Sequence, residues 1–520
     1  MAIKLNSKES VFRNELIYTA DAKAVNIDYT LVNLYMLLNH NGIRPRQRAR
    51  RGKSSHLELD QLTRLFQKLE ESNQIEGFNE NPEAVELWLR TNLINLVYRG
   101  NMEKEKVSSL RPIHLESYRI RNAQNTRDYF SADQVYLMLG EDPSLKEELK
   151  KFLAEGWDKT TDSLVNSQEL DVDSLGVLHL IKNIKPGFLD TQSSLNRIRP
   201  LLSEQAKLFC DDVRRLLVYK SKIPRNVLID YLKTITSFHL SLYIHKVIYL
   251  LPKMIEEGTK DVEDDWNIVL DTTDDFNSKI SSIAIEDASR TFNSLYDYIK
   301  SVFKINTIIY RLKLDDKDST SVDRALHILR NELGKYEVKF ETYWDTTLES
   351  QDEEEQEMMK ESVQYENTYF DRYIELIMKE KGAYQLKYYP QFLDNISQKN
   401  NERGFLAQGR SKKHPRRYVL GTKLLEALVQ IQVLDLDENK GDYVTKSLSI
   451  EELLDNLRNR YGLIIDGINE ERFKGADLQT HLAFKENIEA FKLKLRQIGF
   501  YNDLSDAYIL QRIRPRYELS

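Results

Sequence analysis

The 520-residue sequence contains a single cysteine, Cys210. One cysteine excludes an intrachain disulfide framework and any Cys-based zinc site, and it suits a reducing cytoplasm. Glycine and proline are sparse, 19 and 11 residues, while 41% of the chain is hydrophobic and 30% charged. That balance excludes a disordered chain and points to a folded, helix-rich protein of several domains. Long apolar runs are also missing. The most apolar stretch, Val227 to Leu251, is broken by Asp230, Lys233, His239, His245 and Lys246. It therefore predicts a buried central helix and no membrane span. The opening "MAIKLNSKESVFRNEL" lacks the apolar core of a signal peptide. A net charge of -7 gives no global attraction to nucleic acid, so any such contact must come from local basic patches.

Catalytic signatures are absent too. "RGKSS" (Arg51 to Ser55) suggests a phosphate loop, but Gln47 stands where the first glycine belongs and no apolar strand precedes it. There is no GxSxG elbow and no glycine-rich dinucleotide fingerprint. The nine histidines form no HxxxH or HExxH pair, so no metal is expected. His239 falls on an apolar helical stripe and reads as a hydrogen-bonded core histidine. "YEVKFE" places Glu337 and Lys339 at nuclease-like Glu-x-Lys spacing, but in a helical context without an acidic partner on a strand. The expectation is a non-catalytic protein without a cofactor, with a nuclease built from scattered residues as the open alternative.

What the sequence does contain is helical grammar. Residues 1–120 form an N-terminal domain with a basic loop, "RPRQRARRGK", that carries Arg44, Arg46, Arg48, Arg50, Arg51 and Lys53. Residues 121–400 read as a helical domain. Ser131 and Gln134 make a capping-box pattern, and "PSLKEELKKFLAEG" starts after Pro143 and stops at Gly156. Leu228, Leu232, Ile235, His239 and Leu242 form one continuous stripe of a central helix. The acidic stretches "DVEDDW" and "SQDEEEQE" read as exposed loops or helix ends. A polar, basic linker, "NNERGFLAQGRSKKHPRR", contains Lys412 and Lys413 and precedes a self-contained unit at 410–520.

In that unit "YVLGTKLLEALVQIQVLDL" predicts one helix. Ser449 and Glu452 open a second that ends near Gly462, and a third stops at Gly499. Two extended runs around "NDLSD" close the chain. Three helices and a terminal hairpin give the fold class: a mainly α, multi-domain helical protein with a C-terminal winged-helix domain, α with a small β wing. In "ILQRIRPRY" the alternation puts Arg512, Arg514 and Arg516 on one face. They serve either to contact DNA phosphates or to protect a strand edge and meet a protein partner.

Three stretches carry a resemblance: "IPRNVLIDYLKTITSFHLSLYI", "RRYVLGTKLLEALVQIQVLD" with "LRNRYGLIID", and "LRQIGFYNDLSDAYILQRIRPRY". They resemble accessory subunits of multigene bacterial anti-phage systems linked to DNA modification. The closest likeness is to methylation-associated defence systems, with a related likeness to DptG of phosphorothioation-dependent restriction. It spans the C-terminal three fifths of the chain. The resemblance implies a non-catalytic component of a restriction complex beside a motor ATPase, a nuclease and a modification enzyme. It carries over no functional residues. The leading expectation is a cytoplasmic defence subunit that touches DNA through a winged helix and basic loops. The rival is an adaptor that docks on the ATPase or nuclease without DNA.

Overall fold

The computed structural model describes residues 11–47, 59–97, 105–166, 170–182, 184, 188–189, 194–411, 413–437, 442–501 and 512–519. It is mainly helical, with small two-stranded sheets. The chain divides into two compact units, one formed by residues 25–196 with 216–233 and the other by residues 1–24, 197–215 and 234–520. Among the described residues no helix is long and apolar enough to cross a membrane.

The unit containing residues 25–196 is built on helix Ile27–Asn39. Asn26 caps it, its side-chain oxygen accepting from the Asp28 amide at 2.9 Å. The helix is buried along nearly its whole length and packs on helix Ser131–Leu139 and the short turn Leu115–Arg119. A second core gathers Leu62, Phe66, Leu93, Leu110, Val177 and Leu178 behind the antiparallel pair Ile94–Val97 and Lys106–Leu110. One expected cap is corrected here. Ser131 is already helical and its hydroxyl donates back to Asp128 O at 2.7 Å, while the Asp128 carboxylate takes the Ala132 amide at 3.1 Å. A carboxylate three residues upstream does the capping, because Phe130 turns through φ 67° and displaces the serine from the cap position.

The predicted central helix is present as Arg225–Glu257, and its residues 234–257 belong to the other unit. From Thr234 to Leu251 almost every side chain is buried, so the helix is apolar nearly all round rather than on one stripe. Helices Lys279–Asn293, Leu295–Arg311, Tyr369–Ile377 and Ala383–Ile396 belong to the same unit. So do Thr422–Gln432, Ile450–Tyr461 and Leu478–Gln497.

A short extended segment, residues 268–272, organises the second half of this unit. Ile268 and Leu270 donate to Gly462 O and Ile464 O at 2.9 and 2.8 Å, in parallel register with Leu463–Ile464. Asp271 donates to Tyr418 O at 2.9 Å, and Val269 donates to the Asp287 carboxylate at 2.7 Å. Buried amides must find partners, and these four find theirs in three different parts of the chain. Gly462 is required where it stands: φ is +72° and a Cβ would meet Trp266 O at 2.5 Å.

The polar stretch at 400–418 is a packed hairpin rather than a solvated linker. Leu406–Gln408 pairs with Arg416–Tyr418, and Phe405 is buried against Phe238, His245 and Tyr418. The apolar pair Phe405 and Leu406 outweighs its polar surroundings. The tail "VLDL" of the first C-terminal helix is likewise a strand. Leu434–Asp437 forms an antiparallel hairpin with Asp442–Thr445. Ser449 and Glu452 form the predicted capping box, and helix Ile450–Tyr461 ends at Gly462.

Candidate functional site

Helix Leu478–Gln497 is the element that exposes the most chemistry near the C terminus. Asp477 caps it by accepting from the Thr480 amide at 2.8 Å. Thr480, Phe484, Asn487, Phe491 and Leu495 are buried along one stripe, at i, i+4, i+7, i+11 and i+15. On the opposite side Leu478 is 73% exposed, Leu482 47% and Leu493 52%. Lys485, Glu486 and Glu489 are exposed between them. Glu489 already pairs with Lys492 at 2.7 Å.

Beside this helix the chain end is tied down at Ile513, which is fully buried and bridges Leu448 and Tyr501 in antiparallel fashion. Arg512, Arg514 and Arg516 are exposed around it, so the predicted alternation is present at these positions. Their surroundings differ. Arg516 lies over the Phe500 ring at 4.8 Å, pairs with Glu426 and donates to Ile498 O. It is a clamp on its own fold. The Arg514 amide donates to Phe500 O at 3.1 Å, which leaves its guanidinium outside.

The other predicted cations separate into three groups. Arg44 is half-buried and bound to its own unit. It makes two 2.8 Å hydrogen bonds to Asp128 and a further contact to Asp133. Burial opposes its charge, but the two carboxylates more than offset this and raise its pKa. Arg46 is in a two-residue strand paired with Leu189, and Lys413 is exposed in the 400–418 hairpin. Arg48, Arg50, Arg51, Lys53 and Lys412 lie outside the described residues. Arg44 belongs to one unit, and Lys413, Arg512, Arg514 and Arg516 to the other.

Several other arginines of this unit are engaged internally. Arg416 forms a fork on Asp394 at 2.6 and 2.9 Å, Arg417 pairs with Asp271, and Arg472 holds Asp287 through two 2.9 Å bonds. Arg460 reaches Asp211 at 2.8 Å and also contacts Asp212. Fork geometry of this kind is how arginine satisfies a buried carboxylate.

His239 is fully buried, as its stripe position predicts. Its Nε2 lies 2.7 Å from Asp212 Oδ2 and its Nδ1 3.1 Å from the Gln205 amide. The Tyr461 hydroxyl donates to the same Asp212 oxygen at 2.7 Å and accepts from Gln432 at 3.0 Å. Burial alone would raise the Asp212 pKa, but the His239 hydrogen bond and charge, with Arg460 and Tyr461, bring it below the usual carboxylate range. The cluster has no exposed acid or base and acts as a structural anchor. Sequence reasoning missed Asp212, although a signal existed. Gln205, Phe209, Asp212 and Leu216 fall at i, i+4, i+7 and i+11, so the carboxylate interrupts a buried stripe.

Glu337 opens helix Glu337–Glu349 and accepts the Tyr369 amide at 2.7 Å, which ties it to helix packing. Among the described residues no group of histidines, cysteines and carboxylates is placed to hold a metal ion. A cleft of about 800 Å³ is lined by Arg13, Glu15, Arg311, Lys313, Asp316 and Lys317, among others. Its charges are already partly paired, Arg13 with Glu15 at 3.2 Å and Lys317 with Glu15 at 3.0 Å.

The family described as methylation-associated defense system protein MAD7 matches residues 7–517, nearly the whole chain. The chain therefore belongs to that family. No curated protein and no solved structure matches it.

Proposed function

We propose that this member of the methylation-associated defence family is a non-catalytic docking subunit, whose C-terminal winged helix engages another protein component of the system. The observation that carries this reading is the exposed face of helix Leu478–Gln497. It presents Leu478, Leu482 and Leu493 with Lys485, Glu486 and Glu489 between them, a face of mixed charge set with apolar side chains, where a DNA-reading helix needs an excess of cations and hydrogen-bond donors. Apolar anchors on a helix suit a protein interface. The winged-helix reading is supported by the order of helices Thr422–Gln432, Ile450–Tyr461 and Leu478–Gln497, and by the bridges that join Leu448, Ile513 and Tyr501. Of the predicted terminal hairpin, residues 502–511 lie outside the described residues.

The experiment is co-purification of the tagged full chain with the other components of its own system. Replacing Leu478, Leu482 and Leu493 by Glu should abolish one specific partner while leaving the fold intact. Retention of every partner by that variant would defeat the reading.

Direct DNA contact is the second reading, and Arg512 and Arg514 favour it. Both are exposed on either side of the buried Ile513, so they are presented on an anchored segment. Partners such as a motor ATPase, a nuclease or a modification enzyme fit either version.

A further inference from the structure

We propose that the paired helices Glu337–Glu349 and Glu353–Ser362 form a second docking surface, and that its occupant is a lysine- and arginine-rich face of a partner protein. The proposal rests on the docking reading above only in requiring a protein partner; the surface is a different one.

Between Glu337 and Glu366 the sequence has eleven carboxylates and two lysines, a formal charge of -9 against -7 for the whole chain, which leaves all other residues at +2. The carboxylates are arranged in rows. Glu337, Glu341, Asp345 and Glu349 follow at i+4 along the first helix, and Glu353, Glu357 and Glu361 do so along the second. Like charges at this spacing repel each other and destabilise a helix. Capping accounts for only part of the pattern. Asp352 accepts from the Glu355 amide at 2.9 Å, and Glu353 to Glu355 occupy the first turn, where negative charge is favourable. Glu361 sits in the last turn of its helix and Glu349 ends the preceding one, where it is not.

Among the described residues, none of Asp345, Glu349, Glu353, Glu357 or Glu361 enters an ion pair. Elsewhere in the same unit Asp212, Asp271, Asp287 and Asp394 are each engaged by an arginine. The two helices therefore carry a repulsion that their own fold does not offset.

Three apolar side chains on these helices and the segment that follows are exposed. Val338 is 75% exposed, Met358 56% and Tyr365 86%. They are not needed for local packing, since Trp344, Leu348, Met359, Val363 and Leu376 form the core beneath. Met358 lies beside Glu357 and within a turn of Glu354 and Glu361. The bond from the Tyr369 amide to Glu337 brings the segment after the second helix, which carries Tyr365, back to the start of the first. Charge complementarity selects the occupant. A nucleic acid or an anionic bilayer would be repelled, whereas a cationic protein face with apolar gaps would neutralise both rows and cover the three side chains.

The test uses the full chain co-expressed with the remaining components of its system, and reads the affinity of the isolated complex at several salt concentrations. One variant carries Asp345→Asn, Glu349→Gln, Glu353→Gln, Glu357→Gln and Glu361→Gln. The expected result is affinity weakened at least about tenfold at low salt, a flattened salt dependence and a melting temperature equal to or above the parent's, because repulsion has been removed. Tyr365→Ala should weaken the same complex several-fold with the salt dependence unchanged. A complex whose affinity and salt dependence survive the five substitutions overturns this surface and leaves the terminal-helix reading standing. The leucine variant of Leu478, Leu482 and Leu493 tests that reading separately. Failure to form a complex with any component overturns both.

Discussion

Asn487 takes the place of a β-strand opposite Thr272. Its Oδ1 accepts the Thr272 amide at 2.8 Å, while its Nδ2 donates to Leu270 O and Ile465 O, each at 2.9 Å. One side chain of the terminal helix thus satisfies backbone groups on segments 215 to 217 and 22 positions away. Substituting Asn487 by Leu strands several buried polar groups, each costing about 1–3 kcal/mol. The expected loss is about 2–5 kcal/mol in urea unfolding, and a loss below about 1 kcal/mol would refute this role.

The same relationship predicts how the C-terminal segment behaves when separated. Residues 410–520 alone lack the partner of Leu463–Ile464, the backbone groups held by Asn487 and the carboxylates held by Arg417, Arg460 and Arg472. The isolated fragment should give a poorly dispersed amide spectrum and non-cooperative melting. A dispersed spectrum and a sharp transition would show that it folds autonomously.

Replacing Asp212 by Ala leaves Arg460 without its buried carboxylate and His239 and Tyr461 without an acceptor. Removing one member of a buried ionic group typically costs about 3–5 kcal/mol. Denaturant unfolding should show a shift of that size with an unchanged m-value.

Two buried histidines set an acid limit. Burial lowers the His245 pKa to about 4, partly opposed by its hydrogen bond to Ser241 O. Burial, with the nearby Arg225 charge, lowers that of His114 to about 3. Both are neutral in the fold and bind protons more readily once unfolded, so their contribution is intact above about pH 6.5 and is lost as the pH falls toward 4. Each should steepen the acid branch by up to about 1.4 kcal/mol per pH unit. Replacing His245 by Gln should flatten the stability profile between pH 6 and 4, measured by urea titration at each pH.

The DNA reading makes a separate prediction. If Arg512 and Arg514 each neutralise a phosphate, replacing both by Gln lowers the slope of log affinity against log salt by about 1.8 for duplex DNA. Arg516 is held by Glu426 and Phe500, so Arg516→Gln should alter stability rather than that slope. Equal slopes in the parent and the double variant would remove the two arginines as contacts.

Much of the helical framework is legible in the residues. The apolar content of Val227 to Leu251 marked a buried helix, and the Ser449/Glu452 pair with Gly462 delimited the next-to-last helix within a residue or so. These signals are local, since caps and 3.6-residue stripes act within one or two turns. The packed hairpin at 400–418 and the strand Leu434–Asp437 were not legible. Short strands draw their stability from partners, and the local text of both is dominated by polar residues or by the preceding helix.

By itself, the sequence determined a helix-rich chain with no disulfide framework, no recognisable catalytic signature and a likeness to a defence family. Only the tertiary structure decided which charges are available for function. Arg44 reads in the sequence as a candidate contact beside Arg512 and Arg514, yet Arg44, like Arg417, Arg460 and Arg472, meets carboxylates from remote segments, while Arg512 and Arg514 are exposed. Composition counts charges, but their pairing depends on approaches within about 4 Å between residues distant in sequence, which folding alone establishes.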